Sequence, residues 1–272
     1  MKSGFQLSVI GAGNMAEAIV RGLAKSPTGA AARIVMADLR PERLEELKGK
    51  YPLRIANGNP DAVAGADIVL LSVKPQNVAD VARELAGRLP SDAFLLSVVA
   101  GFSTDTLESR FGAGLRVVRA MPNIPAFVGA GMTALCAGRH ARSGDMEQAE
   151  RIFGTVGQVV RVEEARMDAV TALSGSGPAY VCYLLEAMLE AGARMGLPAS
   201  ETRQLALATV SGTIRLLVET GQNPAEARAR VTSKNGATEA ALRVLAERSV
   251  REAWLAAIDA SRARSAELGK SS

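Results

Sequence analysis

A glycine-rich turn near the amino terminus constrains the fold of this chain more than any other feature. The apolar residues 7–10 run into the pattern G-x-G-x-x-A, whose defined positions are Gly11, Gly13 and Ala16. Gly11 suits a tight backbone turn, Gly13 lets the main chain approach a pyrophosphate, and Ala16 lets the next helix pack on the strand. The helix amino terminus adds N–H donors and the positive end of its dipole. Because a predicted strand precedes the pattern and a predicted helix follows it, we interpret it as a dinucleotide-binding turn; the alternative is an ordinary tight βα turn.

The composition is typical of a soluble globular protein with about two domains. Of the 272 residues, 48% are hydrophobic and 22% are charged. The net charge of +4 is spread along the chain without a basic block, so we expect no nucleic acid partner. No apolar run reaches the ~18–20 residues of a membrane span, and the first strand holds no secretory core. We therefore expect no membrane partner and a cytoplasmic location.

The cysteines and the histidine do not favour metal or nucleophilic chemistry. Cys136 and Cys182 lack metal-ligand spacing and are predicted to be buried thiols in a reducing compartment. His140, the single histidine, lies in the polar stretch 137–145 and is interpreted as a surface residue. We therefore expect no metal site and no mechanism of the Ser-His or zinc type.

The first part of the chain alternates short apolar runs with helical patterns, which is typical of a parallel sheet built from βαβ units. Strands are predicted at 6–10, 34–38, 68–73, 94–98, 116–120 and 132–136. Helices between them are predicted at 16–23, 41–50, 78–88 and 104–110. From about residue 146 helical patterns dominate, with helices predicted at 164–173, 179–195, 200–220, 224–231 and 238–266. The prediction is an α/β fold: a Rossmann-type parallel-sheet domain over 1–163, followed by an all-α domain over 164–272.

The predicted helices of the second part are apolar on several faces. Between residues 205 and 217 the apolar positions are Leu205, Leu207, Val210, Ile214 and Leu217. Such a helix must be covered on several sides. We therefore predict a helical dimer interface, and hence a homodimer or a larger homo-oligomer built from dimers.

Two charged residues at the end of the second predicted strand bear on the cofactor. Asp38 can accept hydrogen bonds from both ribose hydroxyls of an adenosine, which favours NAD. Arg40 can instead hold the 2′-phosphate of NADP. The alternative is that Asp38 begins a helix-capping turn and that Arg40 is simply solvated. The pair leaves the choice between NADH and NADPH open.

Further loops follow predicted strands at the same sheet edge. Ser72, Val73 and Lys74 precede Pro75, which forces Lys74 into an extended conformation. Ala100 and Gly101 follow the fourth predicted strand, and Asn123 lies in a stiff loop between two prolines. Functional and structural interpretations of these loops are both open.

Two later segments place polar residues and glycines among predicted helices. Residues 172–180 interrupt a helical region, and Gly175 and Gly177 there would admit a flat ring or another helix. Residues 231–239 join two helices and suit a small carboxylate. The alternative for the second segment is a capped interhelical loop with Thr238 as the N-cap.

Taken together, five segments resemble the pyrroline-5-carboxylate reductase family, which catalyses the last step of proline biosynthesis. The segments are residues 9–18, 72–76, 119–129, 168–180 and 231–242. The resemblance implies an amino-terminal Rossmann domain and a helical domain that interlocks in a dimer, often within larger rings. It also implies reduction of a cyclic imine, Δ1-pyrroline-5-carboxylate, to L-proline with NADPH or NADH. The cofactor carries the difficult step, so no metal is needed.

The resemblance also assigns residues to the site. The cofactor would contact Gly11, Ala12, Gly13, Asn14, Met15, Asp38, Asn59, Ser72, Val73, Lys74, Ala100, Gly101 and Asn123. Arg40 joins this set as the candidate for a 2′-phosphate. Glu164 and Ser176 are assigned to the substrate side. Ser233, Gly236 and Ala237 would hold the substrate carboxylate, and Thr238 would hydrogen-bond the ring nitrogen and assist its protonation.

Two stretches depart from the family pattern, and three alternatives stay open. The usual Ser-Pro-Gly-Gly-Thr-Thr has Lys234, Asn235 and Ala237 at three of its positions, and Ile124 replaces Thr in Met-Pro-Asn-Thr-Pro. The alternatives are a reductase of another cyclic imine or small carboxylate, a non-catalytic dinucleotide-sensing paralogue, and a β-hydroxyacid dehydrogenase. The last class needs a catalytic lysine on an early helix of the second domain, and residues 164–194 contain no lysine.

Overall fold

The computed structural model describes residues 4–30 and 32–270, and the chain divides into two compact units. The first unit contains the chain up to Ser176 together with the carboxyl-terminal segment from Ser261. The second unit is Gly177–Ala260. The domain boundary predicted after residue 163 lies inside the first unit, and it stays a prediction.

The first unit is built on an eight-stranded sheet with the order β3-β2-β1-β4-β5-β6-β7-β8. The strands are β1 (Phe5–Ile10), β2 (Ala32–Ala37), β3 (Leu53–Ile55), β4 (Ile68–Leu71), β5 (Phe94–Ser97), β6 (Arg116–Pro122), β7 (Gly131–Ala137) and β8 (Gly157–Arg161). Strands β1 to β6 are parallel, β7 is antiparallel to β6, and β8 is parallel to β7. The predicted Rossmann-type sheet is thereby confirmed.

Helices cover the sheet and make up the second unit. Those of the first unit are α1 (Asn14–Ala24), α2 (Pro27–Ala30), α3 (Pro41–Lys50), α4 (Asn59–Val63), α5 (Val78–Leu85), α6 (Thr104–Phe111), α7 (Ser143–Phe153) and α8 (Met167–Val170). The second unit contains α9 (Gly177–Arg194), α10 (Ala199–Thr220), α11 (Pro224–Arg230) and α12 (Ala237–Glu247). Helix α13 (Val250–Lys270) starts in the second unit and ends in the first.

Both faces of the sheet are buried, which explains why its central strands are mostly apolar. One face packs Leu7 and Val9 of β1 against α1, α3 and α7. The other face packs Ile10 of β1 and Val69 of β4 against α4, α5 and α6. The helices cover the two faces of the sheet, and the carboxyl ends of the parallel strands lie together at one of its edges.

The sheet differs from the sequence prediction in three strands. β3 and β8 were not predicted, because the three-residue β3 and the half-exposed β8 carry little apolar pattern. The prediction of parallel strands does not hold for β7, which pairs antiparallel with β6. A parallel crossover needs a dozen or more residues, and the link between these strands is the short 3-10 turn Ile124–Val128 and its flanks.

The helical predictions also need two corrections. The single helix predicted over 238–266 is two helices, because Ser249 turns the chain with a φ of +52° between α12 and α13. The helix predicted over 164–173 begins as a 3-10 turn, Glu164–Arg166, before α8. It then widens into a π turn, Thr171–Gly175, in which the Ser176 N–H donates to the Thr171 carbonyl at 2.8 Å. The helix therefore widens where a break was predicted.

Candidate functional site

The strand order reverses at β1, which lies between β2 and β4. In open α/β sheets, ligands bind outside the carboxyl ends of the strands at such a point. A cavity of about 430 Å³ lies there. Its lining includes seven of the residues predicted to bind the cofactor: Gly11, Asp38, Arg40, Asn59, Ser72, Val73 and Lys74.

The glycine turn has the geometry that dinucleotide binding requires. Gly11 has a φ of +96°, and a Cβ there would lie 2.5 Å from the Ser72 carbonyl oxygen, so only glycine fits. Gly13 is the N-cap of α1. A Cβ on Gly13 would meet, among the described residues, only the Ser72 carbonyl oxygen, at 3.9 Å. Packing within this part of the protein therefore does not require glycine at position 13. Because Gly13 has no side chain, a ligand can approach its backbone closely.

Helix α1 begins directly at this turn, with Asn14 and Met15 as its first residues. The first N–H groups of a helix have no partners within the helix and favour an anion. Ala12 is fully buried, and its N–H donates to Asp38 Oδ2 at 2.6 Å. The turn is thus held against the end of β2, while the amino terminus of α1 stays available to phosphate oxygens.

Asp38 and Arg40 form one unit at the tip of β2. The Arg40 N–H and its Nε donate to Asp38 Oδ1 at 2.9 and 3.0 Å. Burial alone would raise the pKa of Asp38, but the hydrogen bonds from Arg40 and from the Ala12 N–H outweigh it and lower that pKa below its ordinary value. Asp38 is therefore ionised, and the Arg40 side chain, 55% exposed, lies against it. The two residues predicted to contact the ribose are thus joined to each other, and their contact with a cofactor stays a prediction.

The neighbouring loops place the remaining cofactor candidates at the same edge. The Ser72 N–H donates to the Ile10 carbonyl at 2.8 Å, so the loop after β4 stays beside the glycine turn. Lys74 is extended, as Pro75 predicts, with φ −67° and ψ 148°. Asn59 donates to Glu84 at 2.7 Å. Gly101 follows β5 in a left-handed turn with a φ of +81°.

Asn123 connects the loop after β6 to the π turn. Its Oδ1 accepts the Met132 N–H at 2.8 Å, and its Nδ2 donates to the Ser174 carbonyl at 3.2 Å. Single π turns within helices are frequent at functional sites. Ser176, at the end of this turn, hydrogen-bonds through its hydroxyl to the Ser261 hydroxyl at 3.0 Å.

Glu164 does not lie in the cavity. Its carboxylate pairs with Arg119, a buried arginine in the middle of β6. The sequence prediction missed Arg119, although a charged residue inside the apolar run 117–120 was the available signal.

The second unit carries the segment predicted to hold the substrate carboxylate. Asn235 is left-handed with a φ of +59°, and its N–H donates to Glu239 Oε2 at 2.7 Å. Gly236 is the N-cap of α12, and any Cβ there would run into the Ser233 hydroxyl. Thr238 lies in the first helical turn, so it is not the N-cap that one interpretation predicted.

The Cys136 thiol donates to Glu164 Oε2 at 3.2 Å, whereas no hydrogen bond to the site residues is found for Cys182 or His140 among the described residues. Burial and the neighbouring Glu164 carboxylate raise the pKa of the Cys136 thiol well above its ordinary value, so it is not a thiolate at neutral pH. Cys182 is exposed, which corrects the prediction that both thiols are buried. His140 is exposed, as predicted.

The described residues contain neither a metal-binding cluster nor a membrane-spanning helix. Within residues 4–30 and 32–270, no three or more His, Cys, Asp or Glu side chains are grouped to hold a metal ion. In the same part of the chain, no helix has the length and apolar content needed to cross a membrane.

A larger cavity, of about 650 Å³, lies at the opposite edge of the sheet. It is lined by the starts of strands, including Phe5, Ile68 and Phe94. Its half-buried Arg116 and buried Asp145 pair with each other at 2.6 Å. Ligands of open α/β sheets bind at the carboxyl edge, so the smaller cavity is the stronger candidate.

Comparison with known proteins matches both parts of the chain. Residues 164–268 match the family profile described as pyrroline-5-carboxylate reductase dimerisation. Residues 6–101 match the profile described as NADP oxidoreductase coenzyme F420-dependent. The second match covers the glycine turn, Asp38 and the turn after β5.

Several relatives that match over nearly their whole length are named pyrroline-5-carboxylate reductase. The pyrroline-5-carboxylate reductase of Corynebacterium melassecola is 40% identical over 97% of this chain and 98% of its own. The solved structure of that enzyme from Coxiella burnetii has a TM-score of 0.89 and 34% identity, over 98% of this chain and 99% of its own. The Plasmodium falciparum pyrroline carboxylate reductase, solved with NADP bound, has a TM-score of 0.87 and 26% identity over the same shares. This chain belongs to the pyrroline-5-carboxylate reductase family.

Proposed function

We propose that this chain reduces Δ1-pyrroline-5-carboxylate to L-proline with NADPH or NADH. The observation that carries the proposal is the 40% identity to a pyrroline-5-carboxylate reductase along 97% of the chain. That match includes the glycine turn in the first unit and the Ser233–Thr238 segment in the second. The relatives' activity fits a chain whose glycine turn leads into α1 beside a cavity at the carboxyl ends of the parallel strands.

The cofactor residues have distinct tasks in this proposal. The open backbone at Gly13 and the first N–H groups of α1 bind the pyrophosphate. Asp38 and Arg40 contact the adenosine ribose, and the turns after β4 and β5 line the rest of the cleft. When bound, the cofactor supplies the hydride that reduces the C=N carbon. The protein therefore needs mainly to position the two reactants.

The substrate residues bind a carboxylate and supply a proton. Ser233, through its hydroxyl, and Gly236 and Ala237, through their N–H groups, hold the substrate carboxylate at the amino terminus of α12. The Thr238 hydroxyl donates a hydrogen bond to the ring nitrogen and assists its protonation as the carbon is reduced. Glu164 is absent from this set, because its carboxylate pairs with the buried Arg119 of β6.

The assembly is proposed to be a homodimer or a larger homo-oligomer built from dimers. The single chain exposes large apolar side chains on the helices of its second unit, including Tyr183 at 70% and Val218 at 73%. Large apolar side chains exposed in this number are typical of helices that form an interface. The dimerisation profile matches the same helices. The cytoplasmic location stays a prediction.

The test compares substrates, cofactors and two Thr238 variants. The purified chain should oxidise NADPH or NADH when Δ1-pyrroline-5-carboxylate is added, with L-proline as product. Thr238→Val, which removes the hydroxyl, should lower kcat at least about a hundredfold, in the range of a lost proton-transfer group. Thr238→Ser keeps the hydroxyl and is the matched control. If the chain reduced only another cyclic imine, it would be a reductase but not one of Δ1-pyrroline-5-carboxylate. If it bound the dinucleotide without turnover, the result would favour a sensor.

A further inference from the structure

Glu164 lies where three elements of the first unit meet. One carboxylate oxygen pairs with the guanidinium of Arg119 on β6. The other accepts the Thr104 N–H, at the start of α6, at 3.1 Å, and the Cys136 thiol of β7 at 3.2 Å. The side chain is 32% exposed, yet its acceptor positions face the protein.

Arg119 requires this carboxylate. Its side chain is 6% exposed, and β6 places it between Ser97 of β5 and Cys136 of β7. A guanidinium is always charged in proteins, and a buried charge without a counterion is strongly destabilising. Burial alone would raise the pKa of Glu164, but Arg119 and the hydrogen bonds lower it below the ordinary value. The pair is therefore ionic at neutral pH.

The Thr104 N–H connects this pair to the candidate cofactor cleft. Thr104 is the first residue of α6, and the turn before it carries Ala100 and Gly101. The near end of the turn is held by β5 and β4, because the Val98 N–H donates to the Leu71 carbonyl at 3.0 Å. At the far end, Ser103 accepts the Thr106 N–H and Glu164 accepts the Thr104 N–H. Glu164 thus fixes one end of the turn between β5 and α6.

We propose that Glu164 is a positioning residue for the dinucleotide, which it serves by holding the turn of residues 99–103, and that it is not a ligand of the substrate. The proposal rests on the proposed function, since it assumes that this turn contacts NADPH. A substrate role is disfavoured because both carboxylate oxygens of Glu164 already accept hydrogen bonds from protein groups. A second carboxylate beside the substrate's own would also repel it.

The test is direct binding of NADPH, measured by its fluorescence enhancement, to single variants. Glu164→Met has similar length but accepts no hydrogen bond, and it should raise the Kd for NADPH about three- to thirtyfold, the range for residues that act through an intermediate. Glu164→Gln keeps an acceptor for the Thr104 N–H and should recover part of that loss. Glu163→Gln is the matched control, because the neighbouring Glu163 is 77% exposed. Steady-state kinetics should show a raised KM for NADPH and an unchanged KM for the imine.

A double variant separates positioning from simple destabilisation. Arg119→Met with Glu164→Met removes both charges, so it should restore much of the melting temperature lost in the single variant. NADPH binding, measured well below that temperature, should stay weak because the Thr104 N–H still lacks its acceptor. Wild-type affinity in the double variant would overturn the proposal. A raised KM for the imine with an unchanged Kd for NADPH would also overturn it, whereas a wild-type chain that binds no dinucleotide would refute the proposed function itself.

Discussion

Replacing Arg40 with alanine should move the cofactor preference from NADPH toward NADH. In the structure, Arg40 neutralises Asp38 through its Nε at 3.0 Å and its Nη2 at 3.3 Å. Its side chain is 55% exposed, so it can turn toward a 2′-phosphate. In Arg40→Ala, the ionised Asp38 would face that phosphate without compensation, while it would still accept hydrogen bonds from the ribose hydroxyls of NADH.

The size of this shift follows from two opposing contributions. An exposed ion pair contributes about 0.2–1 kcal/mol, so little stabilisation is lost when the Arg40 side chain turns away from Asp38. A hydrogen bond between charged groups, here guanidinium and phosphate, contributes about 1.5–3 kcal/mol. The net loss for NADPH is about 1–2 kcal/mol, which is about five- to thirtyfold in the ratio of kcat/KM for NADPH to that for NADH.

Initial rates with both cofactors at saturating imine measure this ratio. Lys48→Ala is the control, because it removes one positive charge from the same helix α3 at a side chain that is 53% exposed. Asp38→Asn should change the ratio in the opposite direction, since it removes the negative charge but keeps an acceptor for the Ala12 N–H. An Arg40→Ala ratio within twofold of the Lys48→Ala ratio would refute the reasoning.

Three further results are expected. Gly13→Val should abolish NADPH binding in a fluorescence titration while the helical circular dichroism signal is kept; retained binding would contradict the role of the open backbone. Gly236→Ala should raise the KM for the imine about tenfold, because its Cβ displaces the Ser233 hydroxyl and weakens about one hydrogen bond to a charged group, with Gly212→Ala, an open helical position, as the control. The pKa of Glu164 lies below its ordinary value of 4.5, so its contribution to stability is present above that value and is lost as the pH falls through the lowered pKa. Glu164→Gln should therefore lower the melting temperature at pH 7, and the loss should become smaller as the pH falls below 4.5; a loss that does not shrink with falling pH would contradict this.

Local sequence patterns predicted the central sheet and the glycine turn well. The strands β1, β4 and β5 are short apolar runs followed by glycine, proline or polar turns. The hydrophobic pattern and the turn residues therefore predict the same strands. The same agreement holds for α3, predicted and observed at Pro41–Lys50, where proline suits the first helical turn. The antiparallel pairing of β7 could also have been predicted, since the link from β6 is too short for a parallel crossover.

Features that depend on distant contacts could not be predicted in this way. Ser249 is neither glycine nor proline, yet it takes a left-handed conformation and divides a continuous helical pattern. The Arg119 pair joins residues 45 positions apart, so the sequence shows a charge inside a strand but not its counterion. The assignments of Glu164 and Thr238 came from family resemblance, and their roles stay proposals.

The hydroxyl contact between Ser176 and Ser261 joins the point where the chain leaves the first unit to the point where it returns. Gly177–Ala260 is therefore an insertion whose entry and exit adjoin, and insertions with adjoining ends are the kind that a host domain tolerates. A short linker between residues 176 and 261 would close the Rossmann unit. Helices α9 to α12 could equally be exchanged for those of a relative, while the sheet and the cavity beside the glycine turn stay in place.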